Sequence, residues 1–170
     1  MPSSIALTLA QSTADDLGMR QRFLLLLVLV CAVAAADLAV KELKPTDPDY
    51  FHPRSQSWAF LSIAVVSLSV LLTRLPSRLV AVASGILAGG VTGNLVTAAL
   101  NDGRVANPFV VTTDDSVLAF NLADVFVLGG IVLLTAALVE VTIRHRHLLP
   151  RSTVPARAAR RLRRRCSCSR

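Results

Sequence analysis

An asparagine and an aspartate interrupt an apolar stretch late in the chain, in the segment AFNLADVF at residues 119–126. Asn121 and Asp124 are three positions apart, and the apolar run around them continues to Val139. A charged side chain in the middle of a bilayer costs roughly 2.5–3.5 kcal/mol on insertion scales. Asp124 therefore needs polar partners, and an ionisable group in a membrane usually marks a functional site.

Two other apolar runs can supply those partners. Asp37 and Lys41 lie one helical turn apart near the end of the first run, and Asn94 and Thr97 lie late in the third. Asp37 comes 14 residues after Phe23, which is about 21 Å along a helix that rises 1.5 Å per residue. We expect these groups to meet the AFNLADVF pair in one layer and to contribute to substrate binding.

A purely structural role is the alternative for some of these residues. Asp37 and Lys41 have the i, i+4 spacing of an ion pair on one helix face, so they could form a structural or headgroup-facing pair. Asn94 and Thr97 could hold helices together, because amide and hydroxyl side chains often do so in membranes. Both readings stay open for these four residues.

The composition predicts the fold class. Hydrophobic residues make up 53% of the 170-residue chain, and the mean hydropathy is +0.57. A soluble domain of this size has no core that could bury four long apolar stretches, whereas a bilayer requires about 20 apolar residues per helix. We predict an all-α membrane protein with four transmembrane helices, at about residues 23–40, 55–73, 79–100 and 117–140 within a membrane domain 23–143.

The distribution of charge predicts the topology. The formal net charge is +7, but ten arginines and no acids follow from Arg144 onward. Segment 144–170 is therefore predicted to be a disordered basic tail that contacts anionic lipid headgroups, and nucleic acid is not expected as a partner. Basic residues also precede the first helix, in segment 1–22, and separate the second from the third. A chain that crosses four times places all three clusters on one side, so both termini should be cytoplasmic.

Two further features require an interpretation. Met1–Ala36 has an apolar run that ends in small residues, as a secretory signal peptide does, but removing it would place the arginine clusters on opposite sides. We therefore expect a retained first helix. Cys166 and Cys168 form a lone C-x-C, which falls short of the four ligands of structural zinc, so no metal or cofactor is expected.

The residues resemble a known family. AFNLAD resembles the F-N-x-A-D motif of lipoprotein signal peptidase (signal peptidase II), a family of four-helix intramembrane aspartyl peptidases. AGGVTGNLV at 88–96 is similar to the glycine-rich G-N stretch of its third helix, DLAVK at 37–41 to its D-x-x-x-K, and SWAF at 57–60 to the end of its N-x-G-x-A-F stretch. The resemblance covers about 23–143. It implies cleavage of signal peptides from diacylglyceryl-modified prolipoproteins in a bacterial-type cytoplasmic membrane.

The chain departs from that family at several motif positions. The acid of the G-N-x-x-D motif is replaced by Thr97, the asparagine of N-x-G-x-A-F by Ser55, and the acid of a later V-x-D-F segment near Asn107. Asp124 remains as a candidate catalytic carboxylate. Asp102 is the nearest substitute for the second acid, although it lies five residues after Thr97 and so about 140° around a continuing helix.

The missing acid matters because an aspartyl peptidase uses two close carboxylates that share one proton. The ionised one takes a proton from water, and the protonated one polarises the scissile carbonyl. Threonine cannot act as that base. Activity would require an acid of the loop, Asp102, Asp114 or Asp115, to fold over the site.

Three functions are therefore open. The first is a divergent signal peptidase II-like endopeptidase with Asp124 and Asp102 as its acids. The second is a catalytically impaired relative that binds lipid-modified peptides or membrane partners in the same cleft. The third is a small transporter or channel subunit that uses the polar layer as a path.

Overall fold

A computed structural model describes the backbone of residues 4–146 and the side chains of residues 18–146. Within this range the chain is mostly helical, with four α-helices: α1 (Ser4–Leu43), α2 (Gln56–Leu72), α3 (Arg78–Leu100) and α4 (Leu122–Arg144). Four short strands lie in the connections: β1 (Phe51–Pro53), β2 (Arg104–Ala106), β3 (Phe109–Thr113) and β4 (Ser116–Phe120).

Among the described residues, three helices are long and apolar enough to cross a bilayer. They are the part of α1 from Gly18 to Leu43, all of α3, and all of α4. α2 is also apolar but has 17 residues, which is at the lower end of the range of about 17–25 for a spanning helix. The prediction of a helical membrane protein is confirmed. The fourth crossing and the cytoplasmic termini stay predictions.

The predicted start of the fourth helix was wrong. α4 begins at Leu122 rather than at 117, because residues 116–120 form β4, which pairs antiparallel with β3. The register joins Phe109 to Phe120 and Thr113 to Ser116 around a two-residue Asp114–Asp115 turn. Four of the five residues of β3 are β-branched, which favours extended backbone. An apolar run of four to eight residues does not distinguish a strand from a helix end.

The predicted boundary between segment 1–22 and the membrane domain does not coincide with a helix end. α1 runs without a break from Ser4, since no proline occurs between Pro2 and Pro45. α2 and α3 begin within one residue of the predicted positions, each behind a serine whose hydroxyl accepts a hydrogen bond from a backbone N–H of the first turn. The predicted disorder of the basic tail concerns residues 147–170, which lie outside the described residues.

α3 packs closely against α1 through glycines. A Cβ added at Gly85 would lie 2.8 Å from the Cβ of Leu29, and one added at Gly89 would lie 2.7 Å from the Cβ of Val33. The partners advance by four residues on both helices, so the two helices are parallel. Small residues let membrane helices approach to backbone contact, and here they fix the register of α1 against α3.

α3 makes an antiparallel contact of the same kind with α4. A Cβ at Gly90 would lie 2.7 Å from the backbone oxygen of Ala123, and one at Gly130 would lie 2.7 Å from the Cα and N of Leu87. α3 is thereby held between α1 and α4, and it also packs against α2. This explains why α3 carries most of the buried residues of the described helices.

The connections between the helices are held by the strands. β1, before α2, pairs antiparallel with β2, after α3, in the register Phe51 to Ala106 and Pro53 to Arg104. Residues 105–108 are buried where this pair leads into β3. The described residues from Val139 onward belong to a separate unit, which contains an ion pair between Glu140 and Arg144.

Neighbouring glycines of α4 offer a matched test of this packing. Gly130→Ala should lower the free energy of unfolding by about 1–3 kcal/mol, because its methyl group would overlap the α3 backbone. Gly129→Ala should leave stability unchanged or raise it by up to about 1 kcal/mol, since its Cβ meets nothing within 4 Å. Unfolding of the purified protein in detergent measures both. Equal effects of the two substitutions would contradict the packing.

Candidate functional site

The ammonium group of Lys41 lies at the centre of a cluster of polar side chains at the ends of α1 and α3. Its Nζ donates to Asp37 Oδ2 at 2.6 Å, to Asn94 Oδ1 at 3.0 Å and to Thr97 Oγ1 at 3.0 Å. The Lys41 side chain is only 6% exposed. A lysine ammonium has three N–H donors, so every donor of this buried cation has an acceptor.

The register set by the glycines produces this arrangement. The pairs Gly85–Leu29 and Gly89–Val33 continue along the same faces to Gly93, whose added Cβ would lie 2.8 Å from Asp37 Oδ2. One turn further, Thr97 meets Lys41. The close packing of α1 and α3 thus determines which residue of α3 faces the lysine.

Asp37 joins α1 to the beginning of α4. Its side chain is fully buried, and its Oδ1 accepts a hydrogen bond of 2.8 Å from the backbone N–H of Ala123. The first N–H groups of a helix have no partner within the helix, and a negative charge near them is favourable. With Lys41 on its other oxygen, Asp37 has both oxygens occupied.

Asn121 and Asp124 form a reciprocal cap at the beginning of α4. Asn121 Oδ1 accepts from the backbone N–H of Asp124 at 2.9 Å, and Asp124 Oδ2 accepts from the backbone N–H of Asn121 at 3.2 Å. This is the geometry of a capping box, in which the residue before the helix and the third helical residue satisfy each other. The three-residue spacing in AFNLADVF is therefore a structural device as well as a candidate site.

Asn94 connects the two charged parts of the cluster. Its Oδ1 accepts from Lys41 and its Nδ2 donates to Asp124 Oδ1 at 3.0 Å. Because a cation lies on one side and a carboxylate on the other, only one orientation of the amide satisfies both. We call the six residues so joined the polar layer; they are Asp37, Lys41, Asn94, Thr97, Asn121 and Asp124.

The layer extends to two residues that were not among the predicted site residues. Asn121 Nδ2 donates to Asn107 Oδ1 at 2.7 Å, and Asn107 Nδ2 contacts His52 Nδ1 at 3.0 Å and Ala119 O at 3.1 Å. Asn107 is buried, with 4% exposure. The only sequence signal for it was its place near the acid of the V-x-D-F segment. His52 had no signal, because it approaches only through the pairing of β1 with β2.

The acids of the long loop lie elsewhere. Asp102 is exposed in the turn after α3, with a φ of 51°, and lines a cavity of about 490 Å³ with Arg104 and Phe51. Asp114 and Asp115 are exposed at the tip of the β3–β4 hairpin. Among the described side chains, none of these three acids has a hydrogen bond to the polar layer.

The charges of the polar layer alternate. Asp37, Lys41, the Asn94 amide and Asp124 follow one another through hydrogen bonds, and no hydrogen bond joins the two carboxyl groups within the described part of the chain. Asp124 is half-buried, whereas Asp37 is fully buried. Asp124 is thus the carboxylate of the layer that is partly open to a ligand. No cluster of three metal-ligating side chains occurs among the described residues.

A comparison with protein families matches this architecture. The model of the family described as signal peptidase (SPase) II matches residues 49–140, more than half of the chain and including both AGGVTGNLV and AFNLAD. The chain belongs to the signal peptidase II family. This confirms the resemblance found in the motifs, and with the apolar helices it makes the chain a membrane protein of an aspartic-type peptidase family.

Solved structures share the fold. One bacterial membrane enzyme, determined by the in meso method at 2.3 Å resolution, matches with a TM-score of 0.54 and 17% identity over 76% of this chain and 93% of its own. A second, determined by the same method at 1.9 Å resolution, matches with a TM-score of 0.52 and 19% identity over 66% of this chain and 91% of its own. No curated protein sequence matches significantly.

The two roles open for Asp37 can be separated by substitution. Asp37→Asn should lower the free energy of unfolding by roughly 3–5 kcal/mol, because it leaves the buried Lys41 without its counter-charge. Glu42→Gln removes the same charge from an exposed position of the same helix and should change stability by less than about 0.5 kcal/mol. Thermal or denaturant unfolding in detergent measures both variants. Undiminished stability of Asp37→Asn with loss of peptide binding would assign Asp37 to ligand recognition instead.

Proposed function

We propose that this protein is a signal peptidase II-like protein of the bacterial cytoplasmic membrane that recognises lipid-modified prolipoproteins through the polar layer, and that its hydrolytic step is impaired. Family membership supports the substrate class. The alternating charges of the layer support the impairment.

One observation carries this proposal. The two carboxyl groups of the layer are separated by a cation and an amide, through the sequence Asp37–Lys41–Asn94–Asp124. Two carboxylates share a proton when they lie against each other and cannot both ionise. Asp37 instead pairs with the Lys41 ammonium group, and both of its oxygens already have donors, so it does not lie against Asp124 as the second acid of a pair.

Thr97 is not a favourable position for a replacement acid. Its hydroxyl accepts from Lys41 at 3.0 Å and donates to the backbone oxygen of Gly93 at 2.9 Å. A carboxylate placed there would pair with the ammonium group and compete with Asp37 for it. A second acid at this position would therefore stay ionised and would not polarise a carbonyl.

Asn107 lies in a more suitable environment. Its Oδ1 accepts from Asn121, which also caps Asp124, and its Nδ2 donates to Ala119 O. A carboxylic acid of the same shape could accept from Asn121 with one oxygen and donate its O–H to Ala119 with the other. Hydrogen bonds of this kind favour the protonated form, so an acid at this position could supply a proton as a general acid, which an acid beside Lys41 could not.

The retained Asp124 favours hydrolysis as the second candidate function. It is half-buried and each of its oxygens accepts one hydrogen bond, so lone pairs remain for a water molecule. The exposed turn that carries Asp102 would then have to close over the site to bring the second acid. In this case Asp124→Asn and Asp102→Asn would each abolish cleavage.

The membrane arrangement is part of the proposal. We infer four crossings with both termini in the cytoplasm, because Arg20, Arg22, Arg74 and Arg78 then lie on the cytoplasmic side with the basic tail. The polar layer lies near the opposite boundary, where a translocated lipoprotein precursor presents its modified cysteine. The basic tail would contact anionic headgroups on the cytoplasmic side.

The proposed function is tested by incubating the purified protein in detergent with a diacylglyceryl-modified prolipoprotein peptide and, separately, with the unmodified peptide of the same sequence. We expect saturable binding of the lipid-modified peptide, weaker binding of the control, and no release of the signal peptide. Fluorescence anisotropy and mass spectrometry measure binding and cleavage. Cleavage by the wild type would support the hydrolytic candidate, and equal or absent binding of both peptides would contradict both candidates.

Substitution of single residues tests the impaired step. Asn107→Asp should produce cleavage above the wild-type level, because a general acid contributes about 10²–10⁴-fold. Adding Asp124→Asn should remove the gain. Thr97→Asp provides a matched control that adds the same group beside Lys41, and it should give no gain. If only Thr97→Asp produced cleavage, the inference that position 107 suits a second acid better than position 97 would be wrong.

A further inference from the structure

A cavity with a basic rim and an apolar wall lies away from the polar layer, near Gly18, where the part of α1 that is long and apolar enough to span a membrane begins. This cavity, of about 270 Å³, is lined by Arg20 of α1 and Arg74 of the α2–α3 connection, and by apolar side chains that include Phe23, Val70 and Leu71. Arg20 and Arg74 are exposed. The cavity therefore combines two exposed positive charges with a surface that favours hydrocarbon.

A second cavity lies beside the other pair of arginines. Its volume is about 230 Å³, and Arg22 of α1 and Arg78 of α3 line it together with Leu25. Arg22 Nε also donates to the backbone oxygen of Thr73 at 3.0 Å, which fixes α1 to the end of α2. Each cavity is thus lined by one arginine of α1 and by one arginine from the α2–α3 connection or the first residue of α3.

These four arginines are not neutralised within the described part of the chain. The ion pairs among its side chains are Lys41 with Asp37 and Arg144 with Glu140. Two neighbouring parts of this region thus each present two guanidinium groups without a described counter-ion. Such a concentration of charge attracts an anion, and guanidinium groups bind the oxygens of phosphate with two parallel hydrogen bonds.

We propose that this end of the protein binds an anionic phospholipid of the bilayer, with its phosphate between Arg20 and Arg74 and an acyl chain against Phe23, Val70 and Leu71. Phe23 begins the apolar run of α1, so the arginines lie at the depth of the headgroups. Basic pockets between membrane helices are suited to such headgroups. The apolar wall favours a lipid over a free phosphate ion or a nucleic acid, which would leave it uncovered.

Titration of the purified full chain in detergent with phosphatidylglycerol tests the proposal, with native mass spectrometry as the readout. The first lipid should bind saturably, and phosphatidylcholine should bind more weakly. Arg20→Gln combined with Arg74→Gln should lower the affinity for phosphatidylglycerol by about tenfold or more, because each arginine contributes to binding of an anionic surface. Inorganic phosphate should not compete at equal concentration.

The basic tail provides the matched control, since it also attracts anionic lipids. Arg161→Gln combined with Arg164→Gln removes the same charge there and should leave the first binding event unchanged. If the double glutamine variant does not fold, Arg20→Lys combined with Arg74→Lys replaces it and keeps the charge. This variant should still bind phosphatidylglycerol severalfold more weakly, because lysine cannot form the two parallel hydrogen bonds of a guanidinium group with phosphate. Unchanged affinity in the folded Arg20 and Arg74 variants, an equal loss in the tail variant, or competition by inorganic phosphate would overturn the proposal.

Discussion

The close approach of α1 and α3 determines the rest of the site. Gly85 and Gly89 remove the side chains that would keep the helices apart, so Leu29 and Val33 fit directly against the α3 backbone. Repetition every four residues carries the same contact from the apolar middle of the helices to their polar ends. Lys41 is thereby buried against α3, where its three donors find three acceptors. In another register the ammonium group of Lys41 would be buried without these acceptors, and an unpaired buried charge is costly.

The polar layer holds the beginning of α4 in place as well as carrying the motif of the family. Asp37 satisfies a backbone N–H of α4, and Asn121 with Asp124 caps the same helix. These bonds occupy helix-terminal groups that would otherwise be unsatisfied in an apolar environment. The motif can therefore persist for structural reasons even where hydrolysis is lost. Family membership on its own does not distinguish a working peptidase from a binding protein. The relative positions of the carboxyl groups and of Lys41 in the polar layer are the structural features that distinguish the two.

The ends of the protein differ in electrostatic character. In the polar layer the one cation, Lys41, is paired with Asp37, and the second carboxylate, Asp124, accepts a hydrogen bond from Asn94. The region of Arg20 and Arg22 on α1 presents arginines without described counter-ions. Pairing is required where charged groups are buried, since an uncompensated buried charge is costly. Exposed arginines can remain without a partner in water or at a negatively charged membrane surface.

The sequence by itself determined the membrane class, the four helices and the family, because apolar run length and short motifs are local properties. It also predicted that Asp37, Asn94 and Asp124 would share one layer, since helix rise converts sequence position into depth. Only the tertiary structure decided the partners within that layer. Residues 116–120 became a strand through pairing with β3, and Lys41 reached Thr97 across 56 positions. Asn107 joined the network through Asn121. Such contacts depend on how glycines let helices approach and on which strands pair, and neither leaves a periodic signal in the sequence.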